Sequence, residues 1–293
     1  MKHGFVLIAI LSLTAILATG CKSGGTSAAK TVSDSAAKEM TLATTTVERE
    51  ANVDSTIQCK FTIDYPTGSD SLSLAVCKFL HSELANNYLP RINDIEGNGN
   101  YPLYSGDVTK GEAVAGYYAD GTLKYLKQQV KEMIDEGYGD QPTMSYELKM
   151  SKTVDTTRYV SYDVQSYAYL GGAHGSSTYY VVNIAKPSGK VLTQTVDSLQ
   201  LKALQPILRK GIISYFNEDG SNEVNESNLK DQLLLDGDII PLPVHAPYLA
   251  ADGVYFLYQQ YEIGPYAIGM VGFVVPYSEI KQYLTKEALQ LIE

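Results

Sequence analysis

Between Ile57 and Tyr65 every second residue is apolar: Ile57, Cys59, Phe61, Ile63 and Tyr65. Just beyond, the rhythm changes, and Leu72, Ala75, Val76, Phe79, Leu80 and Leu84 recur at steps of three and four. A strand with one apolar face must cover that face, and a helix with one apolar stripe must bury it. The two segments therefore call for each other: a strand, then a helix over Asp70–Leu89 capped by Asp70 or Ser71. Any fold open to this chain has to pack at least one helix on a sheet.

The rest of the chain continues in blocks. A Gly- and Asn-rich loop spans Asn93–Asp107, and a second amphipathic helix, Gly121–Asp135, carries Leu123, Leu126, Val130, Met133 and Ile134 on one side. Tyr146–Ser151, Tyr159–Leu170 and Tyr179–Ala185 read as successive antiparallel strands, with a turn at Pro187–Lys190 before a further extended run, Val191–Val196. Helices are expected at Gln200–Phe216 and Glu226–Leu235, strands at Gly253–Tyr261 and Ile268–Val275, and a closing helix at Tyr277–Leu291. Strands and helices in separate blocks give an α+β fold with a mainly antiparallel sheet and packed helices. Two sequential subdomains are expected, 53–190 and 191–293.

The N-terminus has a different grammar. Lys2 and His3 precede an apolar run from Phe5 to Ala18, followed by Thr19, Gly20 and Cys21. A basic start, a short apolar stretch and a small residue mark an export signal over residues 1–20, and the run is shorter than the ~20 residues of a membrane span. A cysteine directly after Gly20 resembles the signal of a bacterial lipoprotein, in which Cys21 is acylated and becomes the first residue; plain secretion with an incidental cysteine is the alternative. The pattern departs from the usual one in that Ala18, not leucine, lies three positions before the cysteine. Residues 21–52 are rich in Ser, Thr, Ala and Gly and lack apolar periodicity, so they read as a flexible tether that would hold the folded part ~30 Å from the membrane. The expected location is an exported protein, lipid-anchored to a bacterial membrane (the outer one in a Gram-negative cell), facing periplasm or exterior.

Charge and cysteines narrow the partners. The chain carries a formal charge of −10, and losing residues 1–20 would remove one lysine and no acid. A negative surface disfavours nucleic acid and anionic lipid headgroups and is compatible with a cationic partner. Cys59 on the apolar strand face and Cys77 on the helix would be offset along the strand if the helix folds back over it, so two buried thiols are expected rather than a disulfide. No Cys/His pair stands at ligand spacing, and His81 and His245 are isolated in sequence, so neither a metal nor a cofactor is expected.

Two motifs remain. Gly171-Gly172-Ala173-His174-Gly175 follows a tyrosine-rich strand, and Tyr261-Glu262-Ile263-Gly264-Pro265-Tyr266-Ala267-Ile268-Gly269 leads into Val275-Pro276-Tyr277. Together they resemble the paired domains of unknown function (DUF4163/DUF3298-type) in the ectodomain of the lysozyme-sensing anti-sigma factor RsiV and in the N-terminal half of some peptidoglycan deacetylases. The resemblance implies an α+β ectodomain outside a membrane and, as a partner, a lysozyme-like protein. The sigma-binding segment and membrane helix of those anti-sigma factors, and the Asp-Asp and paired-His metal motifs of the deacetylases, are not in this sequence.

The residues themselves support binding more than catalysis. His174 has neighbours Ser176 and Ser177 but no nucleophile–base–orienter set nearby; either Gly171-Gly172 only bends a sheet, or the glycines let a ligand approach. Glu262 sits where a strand breaks, and would either accept backbone N–H groups or pair with His174 in a hydrolase-like site. The chain has 23 Tyr, 6 Phe and no Trp; tyrosine supplies rigid area with a polar tip, apt for a recognition surface or for stacking on sugars. Candidate binding residues are Tyr169, Gly171, Gly172, His174, Tyr261, Glu262 and Tyr266, with envelope glycan as the alternative ligand to a lysozyme-like protein.

Overall fold

The computed structural model describes residues 40–53, 55–94, 97, 99–139, 142–218, 220 and 223–293. Strand β1 (Thr44–Val53) pairs antiparallel with β2 (Ile57–Pro66) along its whole length. The alternation read in β2 is realised: Ile57, Cys59, Phe61, Ile63 and Tyr65 are each at most 3% exposed. Helix α1 (Ser71–Asn86) begins where Asp70 accepts the Ser73 backbone N–H at 3.0 Å, and it buries Leu72, Val76, Phe79, Leu80 and Leu84. The one-turn α2 (Leu89–Ile92) and the long α3 (Gly111–Asp135) follow.

After α3 the chain returns to the sheet as β3 (Met144–Asp155), parallel to β2, and then runs back and forth as β4 (Tyr159–Tyr169) and β5 (Ser176–Ala185). The sheet order is β1-β2-β3-β4-β5, antiparallel at every pairing except β2/β3. A parallel pair needs a crossover, and the helical segment supplies it. Cys59 and Cys77 are both free and buried; burial pushes the Cys59 thiol up to about 12 and the Cys77 thiol up to about 11. Cys59 faces the Ala119 carbonyl of α3 across the core.

Helix α4 (Leu201–Phe216) leads into a second, three-stranded antiparallel sheet, β6 (Tyr248–Leu249), β7 (Gly253–Leu257) and β8 (Gly272–Pro276). Short helices α5 (Tyr277–Ile280) and α6 (Lys286–Ile292) close the chain. One hydrophobic cluster runs from Leu42 to Ile184, and a second from Val196 to Leu291 with Tyr159 joined to it. Both lie in a single compact unit, Glu39–Glu293. The α+β class is as read from the sequence.

The seam between the clusters is made by side-chain amides. Asn183 accepts the Leu249 N–H at 2.8 Å. Gln259 accepts the Tyr179 N–H at 3.1 Å and donates to the Tyr179 carbonyl at 2.8 Å. Gln260 accepts the Ser177 N–H at 3.1 Å. The free edge of β5 thus meets amide groups that imitate a neighbouring strand, satisfying donors and acceptors an open edge would leave bare.

Several boundaries differ from expectation. The tether was expected to reach residue 52, yet β1 begins at Thr44. Its pattern buries only Val47, so no apolar alternation announces it; the backbone ladder to β2 holds it. Just before it, the Leu42 N–H bonds to Asp155 at 3.0 Å, and Asp155 also pairs with Lys152 and Lys186. Helix α3 starts at Gly111 rather than Gly121 because its glycines admit tyrosine rings: a Cβ at Gly111 or Gly121 would strike Tyr65 or Tyr88. The expected helix Glu226–Leu235 reduces to a 3-10 turn, Leu229–Gln232, and Val191–Val196 forms only isolated bridges at Val191 and Val196. The strands expected over Gly253–Tyr261 and Ile268–Val275 shrink to β7 and β8. The closing helix breaks at Leu284, which bridges Val196, and restarts under the Thr285 cap, whose hydroxyl accepts the Ala288 N–H at 3.2 Å. Residues 1–20, Cys21 and the tether up to residue 39 lie outside the described residues. No helix among the described residues is long and apolar enough to cross a membrane.

Candidate functional site

The two motifs meet. Gly171 and Gly172, at φ of +92° and +95°, turn the chain after β4 through backbone conformations that L side chains rarely adopt. The Tyr169 hydroxyl donates to the Gly172 carbonyl at 3.1 Å and holds the bend. Gly175 lies against the Tyr167 ring, with no room for a Cβ. The loop so formed carries His174, which is exposed, across to the second motif.

There His174 stacks on Tyr266, ring centroids 3.9 Å apart and planes 21° from parallel. Tyr261 completes the group, 6.4 Å from His174 and 5.6 Å from Tyr266. The Nδ1 atom of His174 is 3.0 Å from the Gly175 carbonyl, so it carries the proton and donates; Nε2 is left to accept the Tyr261 hydroxyl at 3.3 Å. The Tyr266 hydroxyl donates to the same Gly175 carbonyl at 3.3 Å. Tyr261 is 61% exposed and is held at φ +66°, a strained conformation for a tyrosine. The result is a platform of three rings on the surface.

Glu262 does not join it. One carboxyl oxygen accepts the Val244 N–H and the other the Gln259 N–H, both at 2.6 Å. Burial pushes this carboxyl above the ordinary glutamate range, against the pull of the two N–H donors. The hydrolase-like pairing of Glu262 with His174 is therefore not formed: the acid ties the loop before β6 to the platform loop. Of the seven candidate binding residues, six build or support the platform and Glu262 braces it from behind.

A second constellation escaped the sequence. The Tyr180 hydroxyl donates to the Glu83 carboxyl at 2.5 Å, and the Asn87 amide lies 3.4 Å from the same hydroxyl. His245 lies flat on Tyr180, centroids 3.8 Å apart and planes 6° from parallel. Burial raises the Glu83 carboxyl above its usual range, although hydrogen bonds from Tyr180 and Asn86 oppose it, and burial lowers His245. His245 is isolated in sequence but not in space. Glu83 did leave a trace: it follows Phe79 and Leu80 on the apolar side of α1, where a solvated acid would not belong. Among the described residues no group of three His, Cys, Asp or Glu side chains is placed to hold a metal ion.

Residues 52–177 match the family model described as "Deacetylase PdaC", and residues 195–278 match "Protein of unknown function (DUF3298)". The first match ends on the glycine–histidine motif and the second contains the Tyr261–Tyr266 motif, so the paired arrangement read from the sequence is present. No curated protein matches the chain. A DUF3298-family crystal structure from Bacteroides fragilis NCTC 9343 is similar at a TM-score of 0.61 and 20% identity, over 84% of this chain and 94% of that one. A DUF3298-family protein from Pseudomonas aeruginosa PAO1 gives a TM-score of 0.57 at 14% identity, over 85% and 97%. At these identities the likeness establishes the fold.

Proposed function

We propose, from the pairing of a PdaC-type segment with a DUF3298 segment, that this chain is a cell-envelope recognition protein which binds its ligand on the ring platform and does not transform it. The observation that carries this is the gathering of the exposed His174 and Tyr261 with the half-buried Tyr266 into one surface group, across 87 residues of sequence, with Tyr261 in a strained backbone conformation. Strain persists where the surroundings enforce it, and such positions concentrate in binding and switch regions. Both Glu262 oxygens are occupied by backbone donors, which argues against acid–base chemistry at the platform. Flat rings with hydroxyl rims suit the faces of sugars, so an envelope glycan is the ligand the geometry favours.

A lysozyme-like protein is the second reading, favoured by the formal charge of −10, which would attract a cationic partner. Cys21 would carry the lipid that keeps the chain at the membrane. Calorimetric titration of the full chain with soluble peptidoglycan fragments and with a cationic lysozyme, at low and moderate salt, separates the two. Glycan binding that is indifferent to salt and lost in Tyr261→Ala supports the platform reading. Salt-sensitive binding of lysozyme alone supports the second, and no binding to either ligand overturns both. Metabolic labelling with a fatty acid, lost in Cys21→Ala, tests the anchor.

A further inference from the structure

The groove beside Tyr180 has a chemistry of its own, independent of the platform. A cavity of about 490 Å³ opens between the C-terminal turn of α1, β5, the 191–193 segment and the loop carrying His245. That volume falls within the range of small-molecule sites, ~300–1,000 Å³. Its wall is mixed, with the Asn86 and Asn87 amides and the Ser166, Thr178 and Thr193 hydroxyls around the stacked Tyr180–His245 pair.

The wall contains one carboxylate and no lysine or arginine. None of the ion pairs among the described residues involves Glu83. Its hydrogen bond from Tyr180 fixes its direction but brings no positive charge. The His245 ring nitrogens make no hydrogen bond among the described residues, so that ring offers an unengaged donor and acceptor beside the carboxylate. A carboxylate drawn out of water is stabilised most by a cation that enters with the ligand. The amides and hydroxyls add partners for ligand hydroxyl groups, and the ring pair a flat apolar surface.

We propose that this groove binds a small polyhydroxylated primary amine, of the amino-sugar class, with its ammonium group against Glu83 and its hydroxyls on the amide and hydroxyl rim. Glu83 sets the charge preference, while His245 and Tyr180 position the ring. The groove's titratable groups are Glu83 on α1, Tyr180 on β5 and His245 on its loop; β4 and the 191–193 segment contribute only Ser, Val, Leu and Thr. Protons taken up by Glu83 or His245 both oppose a bound cation, so affinity falls as pH drops.

The test is a ligand titration of the full chain with glucosamine, N-acetylglucosamine and glucose, followed by heteronuclear NMR at pH 6.5 and pH 5.0, where the glucosamine amine is an ammonium throughout. The expected result is saturable binding of glucosamine that shifts groove resonances, at least tenfold weaker binding of the two neutral sugars, and weaker glucosamine binding at the lower pH. Glu83→Gln should remove the preference for the amine. His245→Ala should weaken glucosamine binding several-fold, and it serves if Glu83→Gln fails to fold. Equal affinity for glucosamine and glucose, unchanged glucosamine binding in a folded Glu83→Gln, or no binding of glucosamine would each overturn the proposal.

Discussion

Platform and groove draw on the same side chains, a histidine stacked on a tyrosine with a glutamate close by, and use them in opposite ways. At the platform the His174–Tyr266 stack faces solvent, and the nearby Glu262 is turned away to hold backbone N–H groups. In the groove the half-buried His245 covers a buried Tyr180, and Glu83 accepts the tyrosine hydroxyl without a cation. The difference lies in what occupies the acid. A carboxylate given two backbone N–H donors is structural mortar, whereas one given only the neutral side-chain donors of Tyr180 and Asn86 in a recess keeps capacity for a ligand cation. The two are also joined, because Glu262 fixes Val244 beside His245 while lying next to Tyr261.

That joint is where the comparison breaks most visibly. Glu262→Gln sets an amide NH₂ against one of two backbone N–H groups, and unfolding in urea should show a loss of about 2–3 kcal/mol, with ligand responses at both sites reduced. A smaller effect is expected from Gln259→Ala, which uncovers the Tyr179 backbone groups: about 1–2 kcal/mol by the same measurement, with faster hydrogen exchange at the Tyr179 amide. Gly172→Ala sharpens the contrast. It forces an L side chain to φ +95°, costs about 1–2 kcal/mol, and should weaken platform binding while leaving the amine response of the groove intact.

The smallest effect is a matter of sign. Glu83 has its folded pKa raised, so its contribution to stability is complete below the ordinary glutamate range and is lost as pH rises through the raised value. His245 has its folded pKa lowered, so its contribution is complete above the ordinary histidine value of ~6.5 and is lost as pH falls through the lowered one. The two slopes oppose each other where their windows overlap, above the ordinary glutamate range and below the ordinary histidine value. Glu83→Gln should remove the falling slope, and His245→Phe, which keeps the ring stack, should remove the rising one. Thermal melts over a pH series will read each change as the loss of one slope.

The sequence made the platform legible and hid the groove, for one physical reason. Gly171-Gly172 and Gly264-Pro265 are local punctuation, and they mark bends whatever surrounds them. Glu83, Tyr180 and His245 come from a helix, a strand and a loop; the first two meet only when α1 packs on the sheet, and His245 arrives only when the second region closes over β5. The same division runs through the fold. Strand β2 and helix α1 advertise themselves by periodic burial, whereas β1 is polar and exists because β2 offers a ladder. Helix α3 is longer than its apolar pattern, since glycines that weaken a helix in isolation here seat tyrosine rings.

The amide-capped edge of β5 bears on how the chain is made. Asn183 precedes its partner Leu249 by 66 positions, and 80 separate Tyr179 from Gln259. At synthesis rates of ~5–20 residues per second, the five-stranded sheet therefore waits several seconds with a sticky flank before its own later residues shield it. A ribosome stalled in that interval, or a protease cut after β5, would release a half-built molecule primed to pair with its siblings.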